Sequence, residues 1–183
     1  MPTILSVSSH YSLFTIHLVT IIMSENTHIR SQVPSDSEIE GLSYQATGKN
    51  WFEYPIVVHP HHTDYAGIVW HGTYLTWMEE ARVECLRSIG IDFADLVALG
   101  CDLPVVDLSI RYRRALRMGE SAVVKTRTVD MTGVRIVWEY VIQSPDAQIV
   151  YLTGVVTLVA VDLDKGKIMR QLPEAVKEAL VRM

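Results

Sequence analysis

The sequence predicts one α+β domain, in which a strand and a long amphipathic helix are followed by four antiparallel strands. Three observations predict this order. Residues 51–59 alternate in polarity and are rich in aromatic and β-branched residues, which is typical of a strand. Residues 73–89 repeat apolar side chains at helical spacing. Four further strand-like runs follow, separated from one another by turn residues.

The long helix is predicted to bury one face, and Gly90 ends it. A second, short helix is predicted over residues 92–99. The buried face is expected to contain Tyr74, Trp77, Met78, Ala81, Cys85, Leu86 and Ile89. Two cysteines are too few for a disulfide framework or a four-ligand zinc site. Cys85 is therefore expected to be a buried, unreactive thiol.

The four later strands are predicted over residues 103–114, 121–130, 134–143 and 148–162. The third run carries apolar residues at alternate positions, so one of its faces is expected to be buried. The last run is apolar on both faces, so we expect it near the middle of the sheet. One helix covers only one face of such a sheet. The other face or the edges are therefore expected to meet a partner chain.

The chain has 183 residues, enough for one domain with a sizeable core. We divide it into an N-terminal extension (1–48), the main domain (49–172) and a short C-terminal helix (173–183) that carries a proline in its first turn. The extension has no periodic pattern, so it is predicted to be disordered, with Met23 as an alternative start of the chain. It matches neither a membrane span nor a signal peptide.

The charge limits the choice of partners. The formal net charge is −5, whereas a nucleic-acid partner requires a basic surface. We therefore expect no nucleic-acid partner and no membrane span. The low cysteine content is compatible with the reducing cytoplasm, where we expect the protein to be located.

Residues 61–71 carry the strongest functional signal. They place one carboxylate, Asp64, in a polar loop between an apolar strand and the start of the long helix. A helix start offers backbone N–H groups without partners and the positive end of the helix dipole. A carboxylate beside such donors can attack a carbonyl whose oxygen the N–H groups hold, or can activate water against it. The segment therefore indicates a hydrolase.

These residues resemble a known family. The motif Asp64-x-x-Gly-Ile-Val-Trp-His71, with Tyr74-Leu75 and Glu79-x-x-Arg82 after it, is similar to the 4-hydroxybenzoyl-CoA thioesterase family of hotdog-fold acyl-CoA hydrolases. The likeness covers residues 51–172 and is densest in this motif. A later segment, Tyr112-x-x-Ala-Leu-x-Met-Gly-Glu120, resembles the family more loosely.

The resemblance implies a hotdog fold, in which five antiparallel strands wrap one long helix. It also implies a homodimer or homotetramer with active sites between subunits, and hydrolysis of an acyl-CoA thioester without a metal or another cofactor. Asp64 falls where the family places its catalytic carboxylate. The backbone N–H of His71 falls where the family polarises the thioester carbonyl. Asp64 then acts as a nucleophile or as a general base on water, and the sequence leaves both roles open.

Two positions depart from the family pattern. Many members carry an acidic residue at the position of His62, and a proline at the position of Arg114. The histidine changes the local charge two residues before Asp64. We expect it to affect the choice of substrate more than the type of reaction.

The acyl group is expected to lie in an apolar, aromatic pocket formed by Tyr65, Trp70 and Tyr74. The sequence does not determine whether that group is aromatic or aliphatic. His71 could also contact substrate through its imidazole, although the predicted role needs only its backbone N–H.

Three arginines are candidates for binding the phosphates of coenzyme A, since guanidinium groups suit phosphate. They are Arg111, Arg113 and Arg117. The other interpretation is a solvated strand face, paired with Asp107 or Glu139.

The histidines near Asp64 do not predict a metal site. His61 and His62 are adjacent, so on an extended strand they would point to opposite faces. The long helix offers no pair of histidines at ligand spacing. Glu79 and Arg82 are three residues apart and are expected to pair on the helix surface.

Two other functions remain open. A hotdog domain can also bind acyl-CoA or an acyl carrier without catalysis. A hotdog dehydratase is the second alternative, but such enzymes pair a histidine with a carboxylate on the helix. The helix here offers Glu79 and Glu80 and no histidine beyond position 71.

Overall fold

The computed structural model of the protein describes residues 51–182. The predicted extension (1–48) and the alternative start at Met23 lie outside these residues. The helices are α1 (His71–Ser88), α2 (Phe93–Ala98) and α3 (Glu174–Val181), and a 3-10 helix covers Pro60–His62. The strands are β1 (Phe52–Val57), β2 (Cys101–Asp102), β3 (Val105–Tyr112), β4 (Ser121–Thr132), β5 (Arg135–Gln143), β6 (Val150–Val159), β7 (Val161–Asp162) and β8 (Lys167–Ile168).

The main sheet has five strands in the order β1-β4-β5-β6-β3, and every neighbouring pair is antiparallel. The predicted strand, helix and four-strand order is therefore confirmed. The apolar strand β6 lies inside the sheet, although β5 occupies the central position. Both edges, β1 and β3, have one side without a strand neighbour in the described part of the chain.

A second, three-stranded sheet in the order β2-β7-β8 was not predicted. The predicted strand 148–162 is divided at Ala160, whose N–H donates to the Val134 carbonyl at 3.0 Å and whose carbonyl accepts from the Met169 N–H at 2.9 Å. Residues after this point join the small sheet. Its strands have two residues each, which is too short to produce a periodic pattern.

The buried face of α1 packs against the inner face of the main sheet. Six of the seven predicted apolar residues are buried: Tyr74, Trp77, Met78, Ala81, Cys85 and Leu86. A Cβ at Gly154 on β6 would lie 3.2 Å from the Cε of Met78, so this glycine allows α1 to approach the sheet closely. Burial raises the pKa of the Cys85 thiol to about 11, which keeps it protonated at neutral pH.

Arg82 differs from its prediction. It is buried and donates to the hydroxyl of Tyr140 at 3.0 Å, on the inner face of β5. The predicted surface pair between Glu79 and Arg82 is wrong, because Glu79 projects from the exposed side of α1. The guanidinium instead reaches into the space between helix and sheet.

Coverage of the sheet by α1 is uneven. Four inward residues of β5 have no exposed surface: Ile136, Trp138, Tyr140 and Ile142. On the edge strand β3, the inward residues Leu108 and Tyr112 are 44% and 49% exposed, and Ile110 is half-buried. We call Leu108, Ile110 and Tyr112 the uncovered edge.

The C-terminal helix α3 packs on the same core through Val176, Ala179 and Leu180. Pro173 is its N-cap residue, and the carbonyl of this proline accepts from the Val176 N–H at 3.0 Å. Within residues 51–182, none of the helices is long and apolar enough to cross a bilayer.

Candidate active site

The segment that carries Asp64 forms a small hairpin pinned to the connection between β3 and β4. Thr63 pairs with Val69, and Ile68 pairs with Arg117. Two further backbone hydrogen bonds join the segments, from the Val69 N–H to the Leu116 carbonyl at 2.9 Å and from the Met118 N–H to the Gly67 carbonyl at 3.1 Å. The hairpin is therefore held to this connection by backbone contacts of its second arm, residues 67–69.

Asp64 lies in the turn of this hairpin and is exposed. Its Oδ1 accepts from the Ala66 N–H at 2.9 Å and from the Ile68 N–H at 3.2 Å. Its own carbonyl accepts from the N–H of Gly67, which has a φ of +71°. A glycine suits this position because residues with a Cβ rarely adopt a positive φ. The turn thus orients one carboxylate oxygen and leaves Oδ2 without a hydrogen-bond partner within residues 51–182.

Helix α1 begins directly after the hairpin, with Trp70 as its N-cap residue and no side-chain cap. The Trp70 N–H donates to the His62 carbonyl at 3.0 Å, and the Thr73 hydroxyl donates to the same oxygen at 3.1 Å. The N–H groups of His71 and Gly72 belong to the first turn, so they have no intrahelical acceptor. They are available to an acceptor outside the helix.

The edge strand β3 also contacts this first turn. The Tyr112 hydroxyl donates to the His71 carbonyl at 3.0 Å. Its ring packs edge-on against Tyr74, with centroids 5.5 Å apart. Neither Tyr112 nor Thr73 was predicted to be a site residue, although Tyr112 begins the later segment that resembles the family. A second signal was that Tyr112 falls on the inward, apolar positions of its strand.

The three aromatic residues predicted to form the acyl pocket lie in different surroundings. Tyr65 is fully exposed at the turn of the hairpin, and Trp70 is 54% exposed. The indole of Trp70 folds back over Gly72, where an added Cβ would lie 1.9 Å from its Cζ3. Tyr74 is buried in the core, and its hydroxyl accepts from the Leu116 N–H at 3.4 Å.

The three arginines predicted to bind phosphate are exposed. Arg111 lies on the outer face of β3. Arg113 directly follows the strand, and its Nε donates to the Thr153 hydroxyl at 3.3 Å. Arg117 lies in the turn that comes next. The alternative partner Glu139 is bonded instead to Arg127, with Nη2 and Oε2 2.7 Å apart.

Three histidines cluster beside the hairpin. The ring centroids of His61 and His62 are 4.1 Å apart, and the Nδ1 of His62 accepts from the His59 N–H at 3.0 Å. The ring of His62 also packs edge-on against Trp77 of α1 at 5.1 Å. Burial, followed by the neighbouring His61 and His59, lowers the pKa of His62. This histidine is therefore a structural contact between the 3-10 helix and α1.

Among residues 51–182, no group of three His, Cys, Asp or Glu side chains is arranged to hold a metal ion. What the segment does offer is a carboxylate in a fixed turn and free N–H groups at the next helix start. Together they can support nucleophilic attack or general-base catalysis on a carbonyl carbon, with the carbonyl oxygen bound by N–H donors.

Sequence comparison and structure comparison both match this chain to thioesterases. The model of the thioesterase-like superfamily matches residues 58–180. A Synechocystis sp. protein named "Putative esterase sll0410" is 56% identical over 139 residues, which cover 76% of this chain and 84% of that protein. The acyl-CoA thioesterase YbgC of Haemophilus influenzae is 30% identical over 131 residues, covering 71% of this chain and 94% of that protein.

Among solved structures, the DHNA-CoA thioesterase of Staphylococcus aureus superposes with a TM-score of 0.67. It is 28% identical, and the match covers 72% of this chain and 89% of that one. The sheet order, the long helix and these matches agree, and the chain therefore belongs to the thioesterase-like superfamily of hotdog-fold proteins.

Proposed function

We propose that the protein hydrolyses an acyl-CoA thioester to a free acid and CoA, with Asp64 as the catalytic carboxylate. The observation that carries the proposal is the hairpin itself. It fixes Oδ1 of Asp64 with two backbone N–H groups and continues directly into the uncapped start of α1. The relatives from Haemophilus influenzae and Staphylococcus aureus are named as thioesterases that act on CoA thioesters.

In this mechanism the thioester carbonyl oxygen accepts a hydrogen bond from the His71 N–H. The positive end of the helix dipole further stabilises the negative charge that develops on that oxygen. Asp64 then acts in one of two ways. As a nucleophile, its carboxylate attacks the carbonyl carbon and expels the CoA thiolate, and water hydrolyses the resulting mixed anhydride. As a general base, it takes a proton from the water that attacks the same carbon.

The acyl group and the CoA phosphates are assigned to residues whose side-chain chemistry suits them. We place the acyl group beside the aromatic residues Tyr65, Trp70 and Tyr74, of which Tyr74 contributes from within the core. The phosphates of CoA are assigned to Arg111, Arg113 and Arg117, because exposed guanidinium groups on neighbouring segments suit phosphate oxygens. No cofactor is required by either route.

We also propose that the protein is a homodimer, or a tetramer built from such dimers. Within residues 51–182, the outer side of the edge strand β3 has no strand neighbour, and an edge strand is a template for another strand. The uncovered edge adds apolar area beside it. Pairing of β3 with β3 of a second copy would bury both features and would bring the two helix starts close to the interface. We further propose a cytoplasmic location, since both cysteines are free, buried thiols.

The test is a thiol-release assay with acetyl-, octanoyl-, palmitoyl-, benzoyl- and phenylacetyl-CoA. Asp64→Asn keeps the size of the side chain and removes its charge. We expect the rate to fall by about 100-fold or more, the usual effect of losing an acid–base or nucleophilic group. The matched control is Asp146→Asn, which makes the same change in a similar turn, where Oδ1 accepts from the Gln148 N–H at 3.1 Å. Hydrolysis by Asp64→Asn within a few-fold of the wild-type rate would exclude the proposed mechanism.

The assay also separates the alternatives. A binding module would retain acyl-CoA, as measured by calorimetry, without releasing thiol from any member of the panel. A dehydratase needs a histidine that faces a carboxylate across the site, and within the described residues α1 has only His71, in its first turn. The carboxylate in the hairpin favours hydrolysis over both alternatives.

A further inference from the structure

The first turn of α1 is held at one carbonyl by a side chain from another element. The hydroxyl of Tyr112 lies 3.0 Å from the carbonyl oxygen of His71, to which it donates. That carbonyl belongs to the same peptide unit as the N–H of Gly72. The unit is planar and trans, so its oxygen and its N–H point in opposite directions. A contact that fixes the oxygen therefore also fixes the direction of the Gly72 N–H.

The N–H groups of an α-helix point toward its N-terminal end, so this N–H points out of the start of the helix, next to the N–H of His71. Neither group has an intrahelical acceptor. A hydrogen bond donated to the carbonyl of a peptide polarises that peptide and strengthens its N–H as a donor. The hydroxyl of Tyr112 therefore has both a geometric and an electrostatic effect on the Gly72 N–H.

We propose that the Gly72 N–H is a second donor to the thioester carbonyl oxygen, and that Tyr112 is the positioning residue that aligns and polarises it. The proposal rests on the proposed hydrolysis at Asp64 and deepens it. Each N–H donor binds the oxygen more strongly when it carries the negative charge of the transition state, so a second aligned donor adds to the stabilisation of that state.

The surroundings of Tyr112 suit this role. Its ring packs edge-on on Tyr74, and the hydroxyl of Tyr74 accepts from the Leu116 N–H at 3.4 Å, so the ring has a fixed neighbour. Burial raises the pKa of Tyr112, which keeps its hydroxyl protonated and able to donate at neutral pH. On the other side, the indole of Trp70 lies over Gly72 and forms a wall beside the proposed donor.

The test compares Tyr112→Phe with Tyr54→Phe, which removes a hydroxyl from the opposite edge strand, where it lies 3.4 Å from Glu80. We expect kcat to fall by about 3- to 10-fold in Tyr112→Phe, the range for the loss of one neutral hydrogen bond, with KM nearly unchanged. Tyr54→Phe should keep the wild-type kcat. The substrate is the acyl-CoA with the highest kcat/KM in the panel.

A spectroscopic measurement distinguishes positioning from a merely structural contact. The carbonyl stretch of that substrate, labelled with ¹³C, is recorded by difference infrared spectroscopy on Asp64→Asn and on Asp64→Asn with Tyr112→Phe. We expect binding to lower the frequency of the stretch, and the second substitution to reverse part of this shift.

The proposal would be overturned if the carbonyl frequency of the bound substrate were the same in Asp64→Asn and in the double variant with Tyr112→Phe. Equal kcat values for Tyr112→Phe and Tyr54→Phe would also overturn it. So would a loss of kcat that accompanies a changed oligomeric state in analytical ultracentrifugation. If Asp64→Asn keeps full activity, the catalytic role of Asp64 fails separately, because the kcat comparison of the tyrosine variants is made with Asp64 intact.

Discussion

The inner faces of β5 and β3 belong to one sheet and carry the same alternation of apolar side chains, yet their surroundings differ. Ile136 and Ile142 of β5 have no exposed surface, whereas Leu108 and Tyr112 of β3 are 44% and 49% exposed. Strands lie about 4.8 Å apart and a helix with its side chains is about 10–12 Å wide, so one helix cannot cover five strands.

The two regions therefore differ in their expected roles: the covered centre mainly stabilises the fold, and the uncovered edge lies beside the candidate site. The covered centre of the sheet provides most of the buried core of the domain. The uncovered edge lies beside the start of α1, where Tyr112 contacts the carbonyl of His71. The surface that the helix leaves open is therefore next to the candidate site. Variants in the two regions should show different phenotypes, and the expected effects are given from the largest to the smallest.

Ile142→Ala should have the largest effect on stability. The side chain is fully buried at the centre of the sheet, and truncation there leaves a cavity. We expect a loss of about 2–5 kcal/mol in the free energy of unfolding, measured by urea denaturation. A loss below about 1 kcal/mol would show that the centre is less tightly packed than the structure indicates.

Leu108→Ala removes apolar area of similar size from the uncovered edge. The side chain is 44% exposed, so we expect the free energy of unfolding of the monomer to fall by about 1 kcal/mol or less. The same variant should weaken self-association in sedimentation experiments. If both variants destabilise the chain equally and association is unchanged, the uncovered edge is not the interface between copies.

His62→Gln should have the smallest effect on stability, a change in how the free energy of unfolding depends on pH. Burial and the neighbouring histidines hold the pKa of His62 below its usual 6.5 in the folded state, so the unfolded chain binds more protons near that pH. The contribution of neutral His62 to the free energy of unfolding is therefore fully present above pH 6.5. It is lost as the pH falls through the pKa that His62 has in the folded state. The facing carboxylate of Glu80 opposes this effect.

The measurement is the change in urea midpoint between about pH 7.5 and about pH 5.5, a range that brackets the ordinary titration of histidine. Wild type should lose more stability than His62→Gln over this range. An identical loss would assign the acid sensitivity to other groups.

Local patterns were sufficient to predict much of this molecule. The buried face of α1 follows from apolar residues at helical spacing, and the position of Asp64 before the helix start follows from the order of the residues. Contacts between distant parts of the chain were not predictable. Arg82 is buried because Tyr140, 58 residues away, accepts its hydrogen bond, and nothing near Arg82 in the sequence indicates that partner.

The same limit applies at the candidate site. The contact between Tyr112 and His71 joins residues 41 positions apart, and it depends on how β3 is placed beside the helix start. The fold of Trp70 over Gly72 is local, but it depends on a rotamer that sequence spacing does not specify.

The pinning of the Asp64 hairpin has a consequence for how such a protein can diverge. The contacts that join it to the β3–β4 connection are made by main-chain atoms, so they do not depend on which side chains are present. Exposed side chains such as Tyr65 and Met118 can then be exchanged during evolution while the carboxylate keeps its position. If the acyl group lies beside Tyr65 as proposed, substitution at that position can change the acyl preference while the proposed reaction at Asp64 is inherited unchanged.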